Sequence, residues 1–373
     1  MKTIKLNYCA MGYDFNPEQN LIYDLLKIQG FDVQISPEPD YLICNFSEEN
    51  HYAYCGKPQV RIMHSGENYI PDFNLIDYSI CPYPISFGDR NFCLPPYVWP
   101  REHWQSLAKK DRSRAQAQKL LSQKQYFASF ITSHESEFGI RGDFFKKLSR
   151  YKRVESPGSY LYNMDDGTTV RLHDESKTDF QRKCKFSLCF ESTNHYGFVT
   201  EKITDAFYAD TIPIYYGSTT AAEVFNRDAF INVADYDSFD DAIARIIQLD
   251  QDDEAYVRML SQPILVDPEY PARLERELGE YVRHIFEQPL EKAYRRSRVY
   301  HPQMIDDFLA KARIPEEMTM VELERTMKRK VVRKIRKKKL AAKKFRLSRK
   351  KKVAQRFSEH KKKRVEKRAC RSK

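Results

Sequence analysis

The sequence lacks long apolar runs and paired cysteine motifs. No stretch approaches the roughly 18 apolar residues that a membrane-spanning helix needs, and residues 1–10 lack the apolar region of a secretory signal. The eight cysteines show no C-x-x-C spacing and have no histidine at metal-ligand intervals, so no zinc site is indicated. We expect a cytoplasmic protein with reduced, structural thiols.

Positive charge is scarce in most of the chain and concentrated at its end. The 373 residues carry a net charge of +11, but residues 328–373 alone hold 25 Lys and Arg against two acidic residues. The rest of the chain has 38 basic and 50 acidic side chains and is therefore acidic. The acidic body argues against a protein that binds nucleic acid over its whole surface.

The basic segment also lacks helix breakers. Neither Pro nor Gly follows Pro315, and Val332, Ile335, Ala342 and Phe345 form a partial apolar stripe. This pattern is typical of a basic amphipathic helix that lies on an anionic membrane. The alternatives are a disordered, solvated tail and a polyanion-binding or nucleic-acid-binding segment. We expect peripheral attachment to the inner membrane face and no nucleic-acid partner.

A strand, a loop, a helix and a second strand follow one another between Cys184 and Ser218. Residues 185–190 and 212–216 are short, mostly apolar runs typical of buried strands. The segment that starts at Thr200 carries apolar residues at helical spacing. Such units build parallel sheets and place a loop and a helix N-terminus at the carboxyl ends of the strands, where α/β sheets bind ligands.

Lys202 falls in the first turn of this predicted helix, where acidic residues are usual. A nucleotide phosphate would be attracted there by backbone NH groups, the helix dipole and the lysine charge. An ordinary solvated lysine is the alternative, and residue chemistry alone leaves both open.

Three blocks of this region resemble the donor-binding signature of the α-1,3-fucosyltransferases, especially the bacterial members that make Lewis-type antigens. They are residues 190–193 (FEST), 196–203 (YGFVTEKI) and 212–218 (IPIYYGS). The resemblance implies an α/β fold of the GT-B type, with two Rossmann-like domains facing a cleft. It also implies inverting transfer of L-fucose from GDP-fucose to the GlcNAc of N-acetyllactosamine-type glycans, as in Lewis x synthesis on a lipopolysaccharide O-antigen or similar acceptor.

The resemblance also suggests how the chain is divided. We expect residues 1–120 to form an N-terminal acceptor-side α/β domain and residues 121–290 to form a GDP-fucose-binding α/β domain. Residues 291–320 are predicted to be C-terminal helices, and residues 321–373 the basic amphipathic tail.

Glu67 follows a predicted strand, residues 60–63, and a glycine. From chemistry alone, an acid in this place is usually solvated. Residues 66–68 (GEN) and the segment 71–78 again resemble the bacterial fucosyltransferases, in which this glutamate is the proposed general base. The resemblance therefore implies a catalytic role for Glu67. His64 is the rival base, with a structural role as its own alternative.

The resemblance places the donor-binding side chains in the second domain. Arg141 lies near a strand-to-helix junction and matches the family's phosphate-binding arginine, which suits a bidentate phosphate contact. Arg141 and Lys202 would neutralise the charge on departing GDP. For Glu191, closure of the turn is an equally compatible role. The other implied donor-binding residues are Glu201, toward the ribose hydroxyls, and Tyr196, Glu191 and Ser192, near the nucleotide.

Two positions depart from the family pattern: Ser192 stands where many relatives have Asn, and Phe198 where the bacterial enzymes have Tyr. Asp235 and Asp237 formally match the Asp-x-Asp motif of metal-dependent glycosyltransferases. We interpret them as acids that cap the following helix, and we expect no required cofactor, with stimulation by a divalent cation left open. A transferase of the same fold that uses another nucleotide sugar is the alternative enzyme.

Overall fold

The computed structural model describes residues 2–11, 15–45, 54–172, 174–297 and 300–312. Within these ranges the chain forms two parallel β-sheets flanked by helices. None of the helices in this part of the chain combines the length and the apolar character that a membrane crossing demands. The predicted amphipathic tail lies outside the described residues.

The first sheet is built from the N-terminal strands. They are β1 (Thr3–Cys9), β2 (Asp32–Ile35), β3 (Tyr41–Cys44), β4 (Val60–His64), β5 (Tyr78–Cys81) and β6 (Asn91–Cys93). Their spatial order is β2-β1-β3-β4-β5-β6, and every pair is parallel. Short apolar runs suit this sheet because its central strands are buried on both faces. All the strands therefore end at one edge, and residues 65–69 leave β4 there.

The second sheet follows in the chain. Its strands are β7 (Tyr126–Ser129), β8 (Val154–Glu155), β9 (Cys184–Phe190), β10 (Ile212–Tyr216) and β11 (Ile231–Asn232). The spatial order is β11-β10-β9-β7-β8, again with parallel pairs. The chain builds outward in one direction after β7 and in the other after β9, so the topological switch point lies between these two strands. Ligands of open α/β sheets bind at such a point.

Helices connect the strands. The helices that follow β7 and β9 start near the switch point. Their first residues are Ile140 and Glu201. The described helices are α1 (Leu21–Ile28), α2 (Arg101–Ser106), α3 (Arg114–Ser122), α4 (Ile140–Leu148), α5 (Glu175–Arg182), α6 (Glu201–Tyr208), α7 (Ala221–Val224), α8 (Phe239–Gln251), α9 (Asp253–Leu260), α10 (Tyr270–Glu287), α11 (Leu290–Ala293) and α12 (Tyr300–Ala312).

Helix α10 returns to the first sheet. Its Phe286 ring lies 4.6 Å from the Tyr41 ring, centroid to centroid, and its Tyr281 hydroxyl donates to the Ser79 carbonyl oxygen at 3.3 Å. Lys2 Nζ donates to the Phe286 carbonyl oxygen at 2.7 Å. A helix inside the range 121–290, which the sequence assigned to the second domain, thus completes the core of the first.

The strand that leads to Glu67 is held by a buried carboxylate. Asp77 is fully buried and accepts the backbone N–H groups of Arg61, in β4, and of Arg295 and Arg296. Arg296 Nε lies 3.1 Å from the same carboxylate. Because a charge buried this deeply needs partners, the segment around residue 295 is fastened to the first sheet beside β4.

The two sheets meet through α6 and the segment before it. Tyr97 N donates to the Val199 carbonyl oxygen at 3.1 Å, and Thr204 Oγ1 donates to the Tyr97 carbonyl oxygen at 2.8 Å. Gly197 has a φ of +84°, and a Cβ placed on it would lie 3.0 Å from the Pro82 carbonyl oxygen. Only glycine permits both this conformation and this close approach, so the loop before α6 lies directly against the first domain.

Candidate active site

The buried carboxylate of Glu191 closes the loop between β9 and α6. Thr200 N donates to its Oε1 at 2.8 Å, and the Thr200 hydroxyl donates to its Oε2 at 2.7 Å. Glu191 N in turn donates to the Tyr216 carbonyl oxygen at 2.9 Å. The turn-closing role that the sequence left open for Glu191 is therefore present, and its contact with a nucleotide stays a prediction.

Lys202 lies against this closed turn. Its Nζ donates to Thr200 Oγ1 at 2.8 Å and lies 3.4 Å from both Glu191 Oε2 and Glu201 Oε1. Burial alone would lower the pKa of this lysine, but the carboxylates of Glu201 and Glu191 outweigh burial and raise the pKa above its usual value. The side chain is 22% exposed, so the ammonium is charged, mostly enclosed and open to the solvent over a small area.

Arg141 approaches the same strand end from α4. Its Nε and Nη2 donate to the Phe190 carbonyl oxygen at 2.9 and 2.7 Å, and its Nη1 donates to the His134 carbonyl oxygen at 3.0 Å. Nη1 also reaches Thr132 Oγ1 at 3.3 Å. Burial lowers the pKa of Arg141, yet a guanidinium stays protonated in proteins. The acceptors are all neutral, so within the described chain no carboxylate forms an ion pair with this 3% exposed cation.

The start of α4 is also fixed by a carboxylate. Glu135 accepts the backbone N–H of Ser136 at 2.8 Å and that of Gly142 at 3.2 Å, and the Tyr160 hydroxyl donates to it as well. These contacts hold the first turn of the helix that carries Arg141. No pattern in the sequence pointed to the contact between Glu135 and Tyr160, because these two residues lie 25 positions apart in the chain.

Glu201 lies between two lysines. Its Oε1 is 3.4 Å from Lys202 Nζ and 3.7 Å from Lys177 Nζ. Burial opposes ionisation, but the two ammonium groups prevail and lower the pKa of Glu201 to about 2. The group is therefore a carboxylate near neutral pH and can accept hydrogen bonds from hydroxyl groups. Its contact with the ribose stays a prediction.

A buried network continues from Lys177 to the first domain. Lys177 Nζ donates to Asp205 Oδ2 at 2.6 Å, and Asp205 Oδ1 lies 2.8 Å from His103 Nδ1. The three side chains are between 4% and 9% exposed. The network connects α5 and α6 with α2, and the sequence offered no sign of it.

Glu67 stands at the carboxyl edge of the first sheet with its side chain exposed. Its backbone is held in a turn, because Glu67 N donates to Ser65 Oγ at 3.1 Å and Tyr69 N donates to the Glu67 carbonyl oxygen at 2.8 Å. The Glu67 carboxylate makes no hydrogen bond or ion pair with any residue that the structure describes. It is therefore free to accept a proton. Burial lowers the pKa of the rival base, His64, to about 4, which makes it a weaker proton acceptor than an ordinary histidine.

One hydrogen bond spans the space between the Glu67 turn and the β9–α6 loop. Asn68 Nδ2 donates to Thr193 Oγ1 at 2.9 Å. Asn68 directly follows Glu67, and Thr193 lies two residues after Glu191. The turn that carries the predicted base therefore contacts the loop that leads to α6, the helix that carries Lys202.

The remaining predicted residues lie around this place. Tyr196 is 64% exposed at the rim of the loop, and the Ser192 carbonyl oxygen accepts the Glu137 N–H at 3.0 Å. Phe198 is buried, so a hydroxyl-free ring suits its surroundings. Contacts of Tyr196 and Ser192 with a nucleotide stay predictions.

The capping interpretation of Asp235 and Asp237 is wrong. The N-cap of α8 is Ser238, whose side chain accepts the Asp241 N–H. Ser238 takes the capping position because it directly precedes the helix. Asp235 accepts hydrogen bonds from Asn232 Nδ2 at 2.8 Å and Arg227 Nη1 at 3.1 Å. In the described ranges no cluster of three or more His, Cys, Asp or Glu side chains could hold a metal ion.

Two family models match the chain, one on each sheet. The model of the alpha-(1,3)-fucosyltransferase FucT N-terminal domain matches residues 6–99, and that of the glycosyltransferase family 10 (fucosyltransferase) C-terminal region matches residues 121–261. The chain belongs to the fucosyltransferases of glycosyltransferase family 10. This is a family of enzymes, and the matched ranges contain every predicted site residue of the chain.

Curated relatives agree with the family. The alpha-(1,3)-fucosyltransferase FucT of Helicobacter pylori is 34% identical over 228 residues, which cover 54% of this chain and 46% of the relative. The human 4-galactosyl-N-acetylglucosaminide 3-alpha-L-fucosyltransferase 9 is 32% identical over 136 residues, 36% of each chain. The match therefore spans less than half the length of these relatives.

Solved structures of fucosyltransferases share the fold. A crystal structure of an alpha1,3-fucosyltransferase matches with a TM-score of 0.61 and 26% identity, over 75% of this chain and 90% of that one. A crystal structure of alpha1,3-fucosyltransferase with GDP-fucose matches with a TM-score of 0.58 and 25% identity, over 75% and 91%. The predicted GT-B-type α/β fold of the chain is confirmed.

The lowered pKa of Glu201 predicts a pH-dependent contribution to stability. A depressed carboxyl pKa stabilises the fold above the unfolded value of 4.5, and the contribution is lost as the pH falls toward the folded value of about 2. Glu201→Gln should lower the free energy of unfolding near neutral pH by on the order of 3 kcal/mol. Urea unfolding of both proteins at several pH values measures this difference.

The difference between the two proteins should shrink as the pH falls below about 4.5. Glu137→Gln, at an exposed side chain on the neighbouring loop, is the matched control and should show little difference at any pH. A Glu201→Gln effect that stays constant down to pH 3 would contradict the ion-pair account.

Proposed function

We propose that this protein is an inverting α-1,3-fucosyltransferase that transfers L-fucose from GDP-fucose to the GlcNAc of N-acetyllactosamine-type glycans. The observation that carries the proposal is the meeting of two loops, one with the unpaired carboxylate of Glu67 and one flanked by Arg141 and Lys202. The fucosyltransferase complex with GDP-fucose and the name of the Helicobacter relative support the donor and the linkage.

Glu67 is the general base of the proposed reaction. Its carboxylate takes the proton from the acceptor hydroxyl while that oxygen attacks the anomeric carbon of fucose. The bond between this carbon and the β-phosphate oxygen breaks, and GDP leaves with the electron pair. Attack from the face opposite GDP inverts the anomeric configuration. One carboxylate is sufficient for this role, and Glu67 supplies it.

Arg141 and Lys202 stabilise the charge that grows on the diphosphate. Lys202 already shares its charge with two carboxylates, whereas the described residues leave the Arg141 charge without an ion pair. Four hydrogen bonds to Phe190, His134 and Thr132 occupy four of the five guanidinium N–H groups. One Nη2 hydrogen is left for a phosphate oxygen, and Arg141 is the stronger contributor.

Replacement of the base tests the reaction directly. Glu67→Gln should reduce kcat by about 10²- to 10⁴-fold because the amide cannot take the acceptor proton. The Kd for GDP should be unchanged, because Glu67 lies on the acceptor side. GDP release with GDP-fucose and N-acetyllactosamine measures turnover, and NMR of the product gives the linkage.

Glu38→Gln, at another exposed side chain of the first domain, is the control and should keep wild-type turnover. GDP-mannose and UDP-galactose are run in parallel. Faster turnover with either of these sugar nucleotides than with GDP-fucose would overturn the donor assignment. A fully active Glu67→Gln variant would overturn the assignment of Glu67 as the general base.

We further propose that transfer needs no metal ion, because Arg141 and Lys202 supply the positive charge at the predicted diphosphate site. Turnover should be unchanged by EDTA. Asp235→Ala should also be active, because the Asp235 carboxylate is held by Asn232 and Arg227. Loss of turnover both in EDTA and in Asp235→Ala would show that the Asp-x-Asp pair holds a required metal.

The basic segment beyond the described residues is proposed to attach a cytoplasmic enzyme to the inner membrane face. Each Lys or Arg near an anionic membrane surface contributes about 1 kcal/mol to binding. Residues 328–373 contain 25 of them, which is enough for peripheral attachment. The full chain should sediment with phosphatidylglycerol vesicles in low salt and remain in solution with phosphatidylcholine vesicles. A chain ending at residue 320 should lose this binding and keep its turnover. Equal sedimentation of both chains would contradict the proposal.

A further inference from the structure

The bond between Asn68 and Thr193 connects two otherwise separate loops. Among the described residues, no other hydrogen bond joins residues 65–69 to the second domain. The Asn68 amide oxygen is buried without a hydrogen-bond partner. The bond through Nδ2 is therefore the only polar interaction seen to hold this side chain.

Thr193 lies on a firmly held part of the donor side. Its neighbour Ser192 accepts the Glu137 N–H through its carbonyl oxygen, and Glu191 is held by Thr200. The turn of Glu67 is braced internally through Ser65, but it reaches the donor side through Asn68. The Thr193 hydroxyl is thus a well-held hydrogen-bond acceptor for the Asn68 amide. Asn68 has this one hydrogen bond, and it directly follows Glu67, whose carboxylate is unpaired.

We propose that Asn68 is a positioning residue for sugar transfer: its hydrogen bond to Thr193 sets the place of Glu67 relative to the bound donor. This inference rests on the proposed function. General-base catalysis needs the base within hydrogen-bond reach of the proton it removes, and small misplacements cost up to about 10²-fold in rate. Among the described residues, Asn68 makes no hydrogen bond to Arg141 or Lys202. Its loss should therefore lower kcat and leave donor binding intact.

Thr193→Val tests the inference because it removes the hydroxyl and nearly preserves the shape of the side chain. The variant should lower kcat by on the order of tenfold or more, with an unchanged Kd for GDP. Asn68→Ala should do the same, and the double variant should be no slower than either single one, because one bond is lost in all three. Thr193→Ser keeps the hydroxyl and should restore kcat.

Thr3→Val is the matched control. It removes an exposed hydrogen bond from the Thr3 hydroxyl to Asp32, at the opposite edge of the first sheet.

Hydrogen–deuterium exchange of residues 65–69 provides a readout that does not depend on activity. Thr193→Val should speed exchange of the Glu67 and Tyr69 amides relative to wild type, and Thr193→Ser should not. Unchanged exchange, a wild-type kcat in Thr193→Val or multiplying effects in the double variant would overturn the positioning role. A wild-type protein that transfers no fucose would refute the proposed function, while the exchange experiment would still decide whether the bond orders the turn.

Discussion

The donor half of this protein depends on one buried carboxylate at the end of a strand. Glu191 binds the backbone and the side chain of Thr200, and in doing so fixes the start of α6 to the end of β9. Lys202 is held beside it, and the preceding carbonyl group, of Phe190, holds Arg141. The two cations are therefore ordered by consecutive residues. Burying the Glu191 carboxylate without partners would cost free energy. Thr200 and Lys202 supply these partners, so the same contacts close the turn and hold the lysine.

The charges in this region are unequally compensated. Glu201 and Asp205 alternate with Lys202 and Lys177, so each of these ions has a partner. Arg141 is surrounded by neutral oxygens instead. Arg141 is buried and has no ion-pair partner among the described residues, so an anion bound to it would be little screened by water. The carboxylates of Glu191, Glu135 and Glu201 act on Arg141 electrostatically without forming an ion pair with it, so a diphosphate would supply the direct anionic contact that this guanidinium lacks.

Much of this architecture follows from local patterns. Apolar runs predict β1, β4, β9 and β10, and the parallel-sheet rule then brings the loops after them to common edges. Contacts between distant residues could not be predicted. Lys177 binds Asp205, 28 residues away, and Asp205 binds His103, 102 residues away. The packing of α10 against the first sheet likewise cannot be predicted from the spacing of apolar residues. The prediction for Asp235 failed for a local reason: Ser238, directly before α8, caps this helix, while Asp235 binds Asn232 and Arg227.

The central claim is that the base and the cations act on opposite sides of one sugar. A crystal structure of this protein with GDP-fucose and an acceptor analogue tests it most directly. The account predicts the diphosphate between Arg141 and Lys202, and the anomeric carbon turned toward an acceptor hydroxyl within hydrogen-bond reach of the Glu67 carboxylate, about 2.6–3.2 Å. A diphosphate bound away from both cations, or a Glu67 carboxylate remote from the acceptor hydroxyl, would contradict it.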